Sequence, residues 1–210
     1  MKLNPVLKAW LFLLTFVFFH GGRAENEAVL DNRGRKVLST TTYNIIPAAR
    51  GVGGGLNMEA SKTNGSCPGG IVQETNEASF GFPVVFIPIN AKEHPSVVRV
   101  STDLNIDFAL ALVLMPPGSN PCAKTPRWQV GPFDRVKKQT FVITGGAEGG
   151  SARTLFKIKK IGGDYYLRFC PSVCKRCRVI CRNIGIYVDN GVRKLALSEA
   201  PFKVKIASLF

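Results

Sequence analysis

Beyond the first two dozen residues, apolar positions fall into short runs rich in Val, Ile, Phe and Tyr: 36–38, 43–46, 84–87, 97–100, 108–114, 128–130 and 140–143. The pattern continues through 154–158, 165–169, the position of Val179, and then 184–188, 195–197 and 202–206. Each run has strand length, and the residues between runs are Gly, Pro, Asn and Asp, the types that reverse a chain. Nowhere does an i, i+3, i+4, i+7 apolar spacing persist over three turns, so no amphipathic helix is predicted. An all-β chain follows. About a dozen short strands allow a sandwich, a barrel or a trefoil, and composition does not choose among them.

The opening residues read differently. Met1, Lys2 and Lys8 precede an eleven-residue, predominantly apolar run over 9–19, followed by Gly21, Gly22 and Ala24. A membrane-spanning helix needs about 20 apolar residues. The shorter run with a small-residue exit reads as a secretory signal peptide over 1–24, and no transmembrane anchor is predicted. Cleavage after Ala24 would leave residues 25–210 as one domain, secreted to the extracellular space or the vacuole. The full chain carries a net charge of +14, and losing Lys2, Lys8 and Arg23 with the leader leaves +11. Export argues against nucleic acid as a partner. A solvated basic surface is the simplest reading, ahead of an anionic membrane or cell-wall polymer. The densest cluster, Lys175, Arg176, Arg178 and Arg182, lies in a cysteine-rich segment that reads as an exposed turn.

Export also sets the meaning of the cysteines. Six are present, an even number in a chain bound for an oxidising compartment, so three disulfides and no free thiol are expected. Cys170, Cys174, Cys177 and Cys181 have a spacing that could hold zinc in a cytosolic protein, but disulfides are the reading here and no metal is predicted. With Cys67 and Cys122 they allow about 15 pairings. Asn64-Gly65-Ser66 is an N-glycosylation sequon in a polar stretch.

Candidate chemistry is sparse. His20 leaves with the leader, so His94 is the mature chain's single imidazole, and it sits in a short polar loop ill suited to holding a general base. No enzyme activity and no cofactor are predicted. The glycine-rich stretches 51–55 and 145–150 read as surface loops, and neither has the Lys-Ser or Lys-Thr that completes a phosphate cradle. Trp128 reads as a partly buried strand residue rather than a sugar-stacking platform. Asp31-Asn32-x-x-Arg35-Lys36 and Asp189-Asn190-x-x-Arg193-Lys194 echo each other as turns, although their spacing of 158 residues is not that of a threefold repeat.

The segment Val29-Leu30-Asp31-Asn32-Arg33-Gly34-Arg35-Lys36-Val37 with Tyr43-Asn44-Ile45 resembles the signature of the plant Kunitz (soybean trypsin inhibitor) family, with Arg33 as its one departure. Ser66-Cys67-Pro68, Ile71-Val72-Gln73, 97–106, Phe169-Cys170-Pro171-Ser172-Val173-Cys174, Ile184-Gly185-Ile186-Tyr187 and 193–198 extend the resemblance over nearly the whole mature chain, closest to the miraculin-like branch. The resemblance implies a β-trefoil, a six-stranded barrel closed by three hairpins. It also implies disulfides joining Cys67 to Cys122, Cys170 to Cys181 and Cys174 to Cys177. Its inhibitors present an exposed loop to a serine protease. Counting forward from Cys67 or backward from residues 104–108 implies a reactive bond between Ala91 and His94, in a loop of Asn90, Ala91, Lys92, Glu93, His94 and Pro95, with Lys92 before the scissile bond and suited to a trypsin-like protease. At the position of the family's loop-bracing asparagine stands Ser39, too short to make the same hydrogen bonds. The resemblance therefore implies a monomeric inhibitor acting in plant defence. The alternative is a non-inhibitory basic glycoprotein of the miraculin-like kind, binding a carbohydrate, a receptor or a microbial surface.

Overall fold

A computed structural model describes residues 26–59, 69–89, 91, 94–109, 126–145, 151–172 and 180–208. Among them are twelve strands: β1 (Asn44–Pro47), β2 (Leu56–Met58), β3 (Ile71–Gln73), β4 (Val84–Pro88), β5 (Leu104–Phe108), β6 (Trp128–Asp134), β7 (Gln139–Thr144), β8 (Phe156–Ile161), β9 (Asp164–Phe169), β10 (Arg182–Asp189), β11 (Val192–Ser198) and β12 (Lys203–Ala207). One 3-10 turn, Ala152–Thr154, leads into β8.

The pairings close a ring. β4 pairs with β5, β5 with β8, β8 with β9, β9 with β12 and β12 with β1, and the reciprocal backbone bonds between Tyr43 and Val84 return β1 to β4. The other six strands form the hairpins β2–β3, β6–β7 and β10–β11. These meet one another through Lys194↔Val72, Ala196↔Phe141 and Gly70↔Ile143. A six-stranded barrel capped by three mutually paired hairpins is a β-trefoil. Closure removes the open sheet edges that would otherwise template pairing with other chains.

The residues facing inward explain why the ring closes. Ile45, Phe86, Leu104, Ile106, Phe156, Ile158, Val204 and Ile206 are each 2% exposed or less. Burying a side chain of this size contributes about 1.5–3 kcal/mol. Phe108 packs on Trp128 at a ring separation of 5.2 Å. Trp128 is fully buried, which corrects the expectation of partial exposure and removes it as a platform for sugars.

Other expectations are also revised. The run 97–100 is not a continuous strand but a set of single bridges, Leu38↔Val97 and Ala28↔Arg99. β5 ends at Phe108, where the predicted run 108–114 begins, and residues 110–114 lie outside the described residues. β2 and β3 went unpredicted because each has only three residues. The stretch 51–55 is exposed only at its start, since Gly54 and Gly55 are buried. A Cβ on Gly54 would sit 2.2 Å from the Asn76 carbonyl, and one on Gly55 would sit 2.0 Å from that of Phe80. These glycines serve close backbone packing rather than loop freedom.

Candidate functional site

The connection from β4 to β5 occupies residues 89–103, and its two limbs are held differently. On the outgoing side Pro88 pairs with Leu104, and the Ile89 N–H donates to the Asp103 carbonyl at 3.2 Å. The returning side is fastened to the N-terminal segment. The Val29 N–H donates to Val98 O, Val98 to Val37 O and Val37 to Val29 O, each at 2.9 Å, and all three side chains are fully buried. This closed ring of backbone bonds satisfies groups that burial would otherwise leave costly. Just beyond it, Val100 donates to Glu27 O and Ser101 to Ile158 O, both at 2.8 Å.

Ser39 extends the fastening by one step. Its N–H donates to Ser96 O at 3.0 Å, and its hydroxyl accepts the Ser96 N–H at 3.1 Å. The sequence expectation was that a serine here falls short of the family asparagine's contacts. The structure shows that it does reach the foot of the loop, immediately after Pro95. Ser96 itself is buried, and its hydroxyl has no partner among the described residues.

Between these anchors Ala91 is half-buried while His94 and Pro95 are exposed. Asn90, Lys92 and Glu93 lie outside the described residues. The connection is thus fixed at its base by the backbone of residues 27–39, and residues 90–95 stand between fixed points. Sequence reasoning picked out the tip of this connection but not its clamp. The partners of Val98 come from a segment more than fifty residues away in the chain, so local pattern gives no sign of the pairing.

The clamp depends in turn on a tight reversal at Asp31. Its side chain is 2% exposed. One carboxylate oxygen accepts the N–H groups of Arg33 and Arg35, both at 2.9 Å, and the other accepts Arg35 Nε at 3.0 Å. Gly34 takes a φ of 76°, which a side chain would disfavour. Burial pushes the Asp31 carboxyl up, but the donors of Arg35 and Arg33 outweigh it and hold the group below the usual carboxylate range. The Arg35 guanidinium also donates to Ser208 at 2.7 Å, and the Asn32 N–H donates to Ile206 O at 2.8 Å. The turn is therefore tied to the end of β12.

Of the cysteines, Cys170 and Cys181 form a disulfide with Cα atoms 4.4 Å apart, joining the end of β9 to the start of β10. That bond takes both sulfurs out of any zinc site. Cys67, Cys122, Cys174, Cys177 and the sequon residue Asn64 lie outside the described residues, as does the segment 1–24 expected to be a leader. Among the described residues no helix is long and apolar enough to cross a membrane.

This geometry agrees with the comparisons. The family described as trypsin and protease inhibitor, Kunitz legume, matches residues 29–207. Kunitz trypsin inhibitor 5 of Arabidopsis thaliana is 40% identical over 208 residues, spanning 96% of this chain and 97% of that protein. Miraculin of Synsepalum dulcificum is 41% identical over 185 residues, spanning 83% and 80%. The solved structure of the Kunitz-type cysteine protease inhibitor PCPI-3 from potato superposes with a TM-score of 0.72 at 26% identity, over 89% of this chain and 99% of that one. The chain belongs to the Kunitz legume family of protease inhibitors. Two of those relatives are named for proteases of different classes and miraculin for none, so membership alone does not fix a target.

Proposed function

We propose that the mature chain, residues 25–210, is a secreted, monomeric inhibitor of a trypsin-like serine protease acting in plant defence, with Lys92 as the residue that enters the specificity pocket. The observation that carries this reading is the clamped connection between β4 and β5. A loop whose ends are already fixed gives up little conformational entropy on docking, and after attack its severed ends stay together for rejoining. Within residues 90–95 Lys92 carries the one fixed positive charge, complementary to a pocket with an acid at its base. Asn90, Ala91, Glu93, His94 and Pro95 are the flanking contacts in this reading. The companion features are removal of the leader, glycan at Asn64, and disulfides Cys67–Cys122 and Cys174–Cys177 beside Cys170–Cys181.

The test is titration of trypsin with the purified, oxidised mature protein. Inhibition at micromolar concentration or below is expected. Lys92→Ala should weaken it by about 100-fold or more, the size of an interface hot spot. A wild-type protein without effect on trypsin, or a Lys92→Ala variant that inhibits equally well, would refute the assignment.

A further inference from the structure

The positive charge of the barrel is concentrated on one part of its outer surface. Directly paired residues of antiparallel strands point to the same face. On β8, β9 and β12 the inward positions are Phe156, Ile158, Tyr165, Leu167, Phe169, Val204 and Ile206, none more than 8% exposed. The registers Lys157↔Arg168, Lys159↔Tyr166 and Lys203↔Tyr166 then place Lys157, Lys159, Arg168 and Lys203 on the outside around Tyr166. Lys205, two residues beyond Lys203, joins them. Across the ring, the outward positions of β4 and β5 are Val85, Ile87, Asn105 and Asp107, without a cation among them.

Two of these cations are held by uncharged partners, and one, Lys157, has a carboxylate beside it. Lys159 Nζ donates to Ser101 Oγ at 2.9 Å, and Arg168 donates to Asn183 Oδ1 at 3.1 Å. Both acceptors are uncharged. Lys157 donates to Ser172 Oγ at 2.6 Å and lies 3.5 Å from Asp103. Asp164, at the hairpin end of β9, is the other acid in register on this face. Lys203 and Lys205 are exposed. Among the described residues no carboxylate pairs with Lys159, Arg168, Lys203 or Lys205. Neighbouring strands lie about 4.8 Å apart and alternate residues about 7 Å apart, so these charges form a regular array.

We propose that the outer face of β8, β9 and β12 binds an extended acidic polysaccharide of the polyuronate type, independently of the β4–β5 connection. A repeating row of carboxylates matches a repeating row of cations. The hydroxyls of Ser101, Ser172 and Tyr166 and the Asn183 amide lie between the charges and offer partners to sugar hydroxyls. The Tyr166 ring offers an apolar surface to a pyranose face. A bilayer is a poorer match, because the most exposed large apolar side chains among the described residues, Val136 at 91%, Ile180 at 62% and Phe133 at 60%, lie off these three strands, Val136 and Phe133 on the β6–β7 hairpin and Ile180 ahead of β10. On the basic face the exposed large apolar residue is Ile161, at its edge. Single-stranded nucleic acid favours several aromatic platforms for successive bases, and this face has one ring.

The experiment is calorimetric titration of the mature protein with de-esterified polygalacturonate of defined length, with the fully methyl-esterified polymer as neutral control. Binding to the acidic polymer that weakens steeply with added salt is expected. Lys203→Glu/Lys205→Glu should lower affinity by about tenfold or more, because charges at a contact set affinity through complementarity. The pair Arg135→Glu/Lys138→Glu, exposed in the β6–β7 turn, changes net charge equally away from these strands and should leave affinity within about twofold. Lys203→Gln/Lys205→Gln, compared by thermal melting, separates lost charge from lost folding. Trypsin inhibition by the Lys203→Glu/Lys205→Glu variant should match wild type, which keeps this proposal distinct from the loop assignment. The proposal is overturned by equal binding of the esterified polymer, by equal loss in the Arg135/Lys138 control, or by no binding. Tighter binding to phosphatidylglycerol vesicles or to single-stranded DNA with the same residue dependence would overturn it too.

Discussion

The β10–β11 connection closes in two residues, with Asn190 at a φ of 50° and Gly191 at 81°. These are the positive angles that match a tight hairpin turn to the twist of its strands. Asp189, at its base, pairs with Lys137 and with Lys194. The β4–β5 connection joins the partners Pro88 and Leu104 through residues 89–103. Its stiffness is supplied from outside, by Val29, Val37 and Ser39 on a segment that precedes the barrel. A short hairpin is thus set by its own dihedral angles, whereas the described limbs of the long connection are held by their neighbours. Substitutions in residues 29–39 should therefore act on the loop at a distance, while substitutions at 189–192 should stay local.

The largest effect should follow from breaking the turn that holds the clamp. Asp31→Ala removes the acceptor for two backbone N–H groups and a guanidinium, a loss of about 2–3 kcal/mol for hydrogen bonds to a charged, buried group. Urea denaturation would read it, and trypsin should cleave the variant's loop faster than the wild type's. The acid limb of the stability curve offers a second reading. Because the folded-state carboxyl is held below the usual carboxylate range, its contribution is full above the unfolded value and disappears as pH falls through the lower folded one. Asp31→Asn should flatten that acid limb. An unchanged acid limb would mean the carboxylate is not carrying the turn.

Two smaller substitutions sharpen the comparison because they should cost similar stability but differ in function. Gly191→Ala forces a side chain to a φ of 81° with nothing within 4 Å of its Cβ, so strain alone should cost about 1–2 kcal/mol. Ser39→Ala removes the acceptor of the Ser96 N–H, worth about 1 kcal/mol. Thermal melts should show both losses, but inhibition of trypsin should fall several-fold only for Ser39→Ala. If both variants inhibit alike, the foot at Ser96 does not stiffen the loop.

Much of this was legible in the chain. Strand-length runs of Val, Ile, Phe and Tyr with turn residues between them fixed the all-β class, and the motif around Asp31 identified the trefoil. Facing and pairing were not legible. Trp128 falls in a predicted strand, yet nothing local says that its side of β6 packs on Phe108. Gly54 and Gly55 look like any loop glycines until residues 76–81 come into contact with them. The echo between Asp31 and Asp189 is real as turn chemistry but not as a repeat. One turn precedes β1, and the other lies inside a capping hairpin. Ser39 shows the same limit at the candidate site. Its side-chain length was known, but the position of the Ser96 backbone was not, and that position decides whether a hydroxyl can reach.

The smallest effect should come from Asp189, although it has two ion-pair partners. Hydrogen bonding from Lys137, ahead of that from Lys194, holds its carboxyl below the usual range. The Asp189 side chain is 11% exposed, but Lys137 is 32% exposed, so water and salt reach that pair, and Lys194 keeps Glu59 as a second partner. The turn also keeps its shape through Asn190 and Gly191 without help from the carboxylate, unlike the turn at Asp31. Asp189→Asn should therefore leave the melting temperature nearly unchanged at moderate salt. Any difference should be greatest at low ionic strength near neutral pH, and should fade as pH falls through the folded-state value and the wild-type carboxyl takes up its own proton. A large loss of stability that survives high salt would show that Asp189 braces the β6–β7 and β10–β11 hairpins as Asp31 braces the loop, and that the two connections are more alike than their lengths imply.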